Sequence, residues 1–197
     1  MAAITCQPEF ALSAAPTGRT VSLVLNGEAW GVIVDSDIAG DPGALGVGTE
    51  VENLSATRII VAHARPALDG DRPMLTWTRA SVEALHAACR RCLDAIAPGA
   101  TLLLWPRADQ LVSDIPSGLS LLRVFEGEPL GLVLDPDAMV TASMREHRAD
   151  HLDRFADALA SQPRTALLID RGDLPATFAP HLPRLRQPES PRPGHGA

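Results

Sequence analysis

From residue 58 onward, short apolar runs alternate with longer stretches in which apolar residues recur every three or four positions. The runs are Arg58-Ile59-Ile60-Val61-Ala62-His63, Thr101-Leu102-Leu103-Leu104-Trp105, Gly131-Leu132-Val133-Leu134-Asp135 and Thr165-Ala166-Leu167-Leu168-Ile169-Asp170. Each is too short for a buried helix and lacks the alternation of a half-exposed strand, so each reads as a strand covered on both faces. Between them the spacing predicts a helix over 81–97, with Val82, Leu85, Cys89, Cys92, Leu93 and Ile96 on one stripe. A shorter helix is expected over 117–126 and a third over 143–160, where Leu152, Phe155, Ala156 and Leu159 form the apolar side. Ser143 and Glu146 make an S-x-x-E capping box at the start of that third helix. Alternation of strand and helix at this period predicts an α/β fold of right-handed parallel βα units over 58–175.

Upstream, Thr20–Leu25 and Ala29–Val34 flank Asn26-Gly27, the dipeptide that favours the positive-φ turn of a tight hairpin, so a hairpin is expected over 20–34. Residues 1–19 have no period and read as an N-terminal arm, and the Gly- and Asp-rich stretch 35–56 reads as loop. The tail 182–197 is rich in Pro, Arg and Ser and reads as disordered. A single α/β domain is thus expected over 20–181.

Composition narrows the function classes. The formal net charge of −7 offers no basic stripe for phosphate neutralisation, which argues against nucleic acid as a partner. No apolar run approaches the ~20 residues that span a bilayer, and the first residues lack a signal-peptide pattern, so the expectation is a cytoplasmic protein without a membrane partner. Cys6, Cys89 and Cys92 are too few and too unevenly placed for a disulfide framework. Cys89-Arg90-Arg91-Cys92 matches C-x-x-C, but both thiols fall on the core stripe of the 81–97 helix and no second ligand pair is spaced for zinc.

In parallel α/β folds, sites form at the C-terminal ends of strands. Here those ends carry His63 followed by Arg65, Trp105 followed by Arg107, Asp135 followed by Asp137, and Asp170. They follow one another at intervals of about 30–40 residues, the length of a βα unit. The runs IIVAHARP, TLLLWPRAD, GLVLDPDAM and TALLIDRGD resemble the middle and later strands of the xylose isomerase-like TIM barrels, the family of sugar phosphate isomerases and epimerases and of apurinic-site endonucleases. The resemblance spans roughly residues 58–175. It implies a barrel-like sheet, and it sets His63 on the family's strand-end His, Asp135 on its metal-binding Asp and Asp170 on the Asp of a later strand.

The resemblance also marks departures. Trp105 stands at the position of the metal-binding Glu, Ala138 at that of the His three residues after the Asp, and Leu167 near that of the later His. A divalent ion needs several carboxylate and imidazole ligands, and His63 with Asp135 would hold one only weakly. A complete barrel takes ~250 residues, so an incomplete or reduced barrel-like sheet with an N-terminal β-hairpin is expected. Its open edges would be covered by the hairpin, by a partner protein or by a second copy in a homo-oligomer.

The first expectation for function is therefore a pseudoenzyme that serves as a binding or scaffold protein. The second is an active isomerase, epimerase or lyase using Zn, Mn or Mg on a small hydroxylated or phosphorylated molecule. In it, His63 and Asp135 are ligands or acid/base groups, Arg65 or Arg107 holds an anion, and Trp105 and Asp170 contact the substrate. A third and plainer reading leaves the strand-end residues as loop caps. His147 and His151 read as a solvated helix face, since the Glu of the H-E-x-x-H motif is absent.

Overall fold

The computed structural model describes residues 19–25, 28–38, 58–63, 78–96, 98–169 and 174–181. The expected arm, the Asn26-Gly27 turn, most of the 35–56 loop, Arg65, Asp170 and the tail lie outside these residues. The described residues form an α/β fold. Strands β1 (Arg19–Leu25), β2 (Glu28–Asp37), β3 (Arg58–His63), β4 (Thr101–Leu104), β5 (Leu130–Leu134) and β6 (Thr165–Leu168) make one sheet. Their spatial order is their chain order, β1-β2-β3-β4-β5-β6. β1 and β2 pair antiparallel as the expected hairpin, and every later neighbour pair is parallel.

The hairpin is part of the sheet. β2 runs on to Asp37, beyond the expected end at Val34, and pairs with β3 from Gly31↔Arg58 to Asp37↔His63. It thereby covers the edge of β3 that the apolar runs alone would leave open, and β1 and β6 become the two ends of the order.

Helix α1 (Arg79–Ala95) starts at Thr78, whose hydroxyl accepts from Ser81 N at 3.2 Å. Helix α2 (Ile115–Val124) starts earlier than the expected 117, because Asp114 and Ser117 form a reciprocal capping box with Pro116 in the first turn. The four-residue helix α3 (Pro136–Met139) follows β5 directly. The expected 143–160 helix is three pieces: a 3₁₀ turn over Ala142–His147, helix α4 (Arg148–Phe155) and a π segment over Ala156–Ala160. The Ser143–Glu146 capping box does not form. Ser143 already lies inside the 3₁₀ turn and its hydroxyl pairs with that of Thr141 at 2.9 Å, so it cannot serve as the extended cap residue.

Alternation along the strands sorts the core into two rows. Leu102, Leu104, Leu130, Leu132, Leu134 and Leu168 pack with the buried stripes of α1, α2, α4 and the π segment. Leu103, Val133, Leu167 and Ile169 occupy the intervening positions, are at most 3% exposed and stand outside that helix-packed cluster. The helices therefore lie on one face, as right-handed crossovers require when every strand is added on the same side of the last. We call the other row the inner face.

Cys89 and Cys92 are buried in the helix-facing core. Burial pushes the Cys89 thiol up to about 12, with Cys92 adding to the shift, and pushes Cys92 up to about 11. Thiols held protonated in this way are packing groups rather than nucleophiles. Among the described residues, no helix is long and apolar enough to cross a membrane.

Candidate functional site

The C-terminal ends of β4 and β5 bring two of the expected residues onto one rim. Leu104 is level with Leu132, so Trp105 comes level with Val133, and Asp135 takes the next inner-face position along β5. Trp105 is 4% exposed and Asp135 fully buried. The apolar run of β5 ends here because Pro136 cannot donate to a ladder and its fixed φ suits the first position of a helix. Asp135 becomes the N-cap of α3, its carboxylate accepting from Ala138 N at 3.3 Å.

Ala138, which occupies the position of an expected metal-ligating His, acts here through its backbone. Its N–H bonds Asp135 and its carbonyl accepts from Ala108 N at 2.9 Å, which ties the loop after β5 to the loop after β4. The β4 loop is folded on itself: Arg107 N donates to Val112 O at 3.1 Å and Gln110 N to Arg107 O at 3.0 Å. Gln110 is 1% exposed, a buried polar residue that apolar periodicity does not reveal.

Both described guanidiniums at this rim face carboxylates. Arg148 from the start of α4 grips Asp137 with Nη2 at 2.7 Å and Nε at 3.1 Å from one oxygen. The two residues are eleven positions apart, with a 3₁₀ segment between them, and no local pattern in the sequence marks them as partners. Arg107 Nε sits 3.5 Å from Asp109, at the outer limit of a hydrogen bond. Asp137 is thus held by Arg148.

One polar atom at the rim stands apart. Nε1 of Trp105 is buried and has no hydrogen-bond partner among the described residues. A buried donor left without an acceptor costs about 1–3 kcal/mol, so native proteins rarely keep one without a use for it.

His63 ends β3 in register with Asp37, a residue of the stretch expected as loop. The His63 side chain, Arg65 and Asp170 are outside the described residues, so the rim is built here from Trp105, Arg107, Asp135 and their neighbours. Among the described residues, no three His, Cys, Asp or Glu side chains converge to hold a metal ion. The donors at the β4–β5 rim do not fit one either, since an indole and a methyl group offer no metal-binding lone pair and Asp137 is engaged by Arg148. His147 is exposed and precedes α4, while His151 is half-buried within it, which suits the solvated-face reading. No family model, curated protein or solved structure matches the chain.

Proposed function

We propose that the chain is a reduced relative of the xylose isomerase-like barrels that has given up the full metal set and works as a binding or scaffold protein. The observation that carries this reading is the use of the β5 rim: Asp135 caps α3, Asp137 is held by Arg148, and Ala138 staples two loops through its backbone. Groups spent on holding loops are poorly placed to complete a coordination sphere, and Trp105 and Ala138 supply no ligand in place of the Glu and His that the resemblance implies. The strictly sequential strand order supports the barrel relationship, because an open doubly wound sheet reverses its order at a switch point. A small hydroxylated molecule is the ligand expected at the rim. The edges of β1 and β6, which no described strand pairs, would favour self-association or a partner protein.

Metal analysis of the purified full chain tests the proposal. Zinc, manganese and magnesium are expected to remain substoichiometric and to leave the melting temperature unchanged. A stoichiometric ion that disappears in Asp135→Ala or His63→Ala would instead support a metal-dependent isomerase, epimerase or lyase, with Arg65 or Arg107 available to an anionic substrate. Sedimentation showing a monomer at all concentrations would remove the self-association part.

A further inference from the structure

We propose that the indole N–H of Trp105 is the donor with which this chain reads a neutral oxygen of a small ligand, a hydroxyl, ether or carbonyl, on the inner face at the ends of β4 and β5. The inference rests on the binding-protein reading above and specifies the chemistry of that site.

Among the described residues Trp105 Nε1 has no partner, in a side chain that is 4% exposed. An indole has one donor and no acceptor, so nothing within the ring can compensate. An arriving acceptor would recover the lost bond, which gives the ligand a gain that no surface tryptophan could supply.

The surroundings select the kind of acceptor. The inner-face row beside and below Trp105 is Leu103, Val133, Leu167 and Ile169, each at most 3% exposed. An anion brought onto such a face loses its hydration with little to replace it. The guanidiniums of Arg148 and Arg107 are turned to Asp137 and Asp109, at 2.7 and 3.5 Å. A neutral oxygen accepts from the indole at a far smaller desolvation cost.

The chain has three tryptophans, Trp30, Trp77 and Trp105, so its indole N–H signals can be assigned one by one. In the ¹⁵N-labelled full chain, Trp30→Phe and Trp77→Phe identify the Trp105 signal by elimination, independently of whether Trp105→Phe folds. Titration with erythritol and dihydroxyacetone as neutral probes should move that signal downfield and saturably, while inorganic phosphate and glycolate should leave it in place. Trp105→Phe, which keeps an aromatic ring and deletes the donor, should weaken binding of the responding probe about tenfold, the loss of one hydrogen bond. The inference is overturned if the Trp105 signal is indifferent to all four probes, if an anionic probe moves it at lower concentration than a neutral one, or if Trp105→Phe binds as tightly as the parent chain. Metal content of the same sample separates the two readings. A stoichiometric ion defeats the binding-protein function, whereas a fixed indole signal in metal-free protein defeats the Trp105 assignment alone.

Discussion

At the N-terminal end of the sheet, Arg164 donates from Nη1 to Phe125 O at 2.6 Å and to Leu130 O at 3.4 Å, and its own carbonyl accepts from Leu132 N at 3.0 Å. Thr165, buried beside it, donates to Leu159 O at 2.6 Å. At the C-terminal end, Asp135, Ala138 and Asp137 are similarly engaged, yet Trp105 holds a buried donor without an acceptor among the described residues. Among the described residues, these polar groups at one end of β5 and β6 find partners within the chain, and one donor at the other end does not. That asymmetry follows the division of labour in parallel α/β folds, where the N-terminal ends of strands stabilise and the C-terminal ends bind.

The largest effect that could break this comparison belongs to Gly131. A Cβ there would lie 2.4 Å from the Arg164 carbonyl oxygen and 3.0 Å from Leu103. Backbone cannot yield as a side-chain tip does, so Gly131→Val should destabilise the fold by about 3 kcal/mol in urea denaturation. A loss below about 1 kcal/mol would mean that β6 can slide away from β5 and that this end is less rigid than it looks.

Next comes Arg164→Met, which keeps the stem and deletes the charged donor. Loss of bonds to two carbonyls should cost about 2 kcal/mol, measured the same way. Arg148→Met removes the ion pair to Asp137 at the opposite rim, where both side chains are about a third exposed, and a cost of about 0.5–1 kcal/mol is expected. An equal cost for the two arginines would erase the distinction between the ends.

The smallest change is expected from Trp105→Phe in the ligand-free chain. The smaller ring gives up packing, but the orphaned donor leaves with the indole, so the two terms oppose and stability should stay within about 0.5 kcal/mol of the parent. A loss above about 2 kcal/mol would show that the N–H is satisfied in solution and would close the open end.

Much of the fold was legible because burial on both faces writes strands as unbroken apolar runs. β3 spans 58–63 as read, β4 and β6 fall within their runs, and β5 starts one residue before its run, at Leu130. The hairpin was announced by Asn26-Gly27. Its parallel pairing with β3 was not, because strand partners separated by a long connection leave no local trace. The start of α2 was legible in principle from Asp114-Ile115-Pro116-Ser117, a cap and a proline ahead of the apolar stripe. The break of the third helix into 3₁₀, α and π segments was not, since the apolar spacing of Leu152, Phe155 and Leu159 suits a continuous helix and only the π bond from Ser161 N to Ala156 O reveals the extra residue. At the rim, strand ends pointed to Trp105 and Asp135. Whether their polar atoms are spent or spare depends on neighbours distant in sequence, such as Arg148 for Asp137.

The identity of strand order and chain order also bears on how the protein is made. Each strand after β2 docks on the one synthesised just before it, so no pairing has to wait for a distant segment to emerge. A growing chain of this kind can assemble unit by unit as it leaves the ribosome. The newest strand forms the temporary edge at every step, and β6 is the last described strand to hold that place.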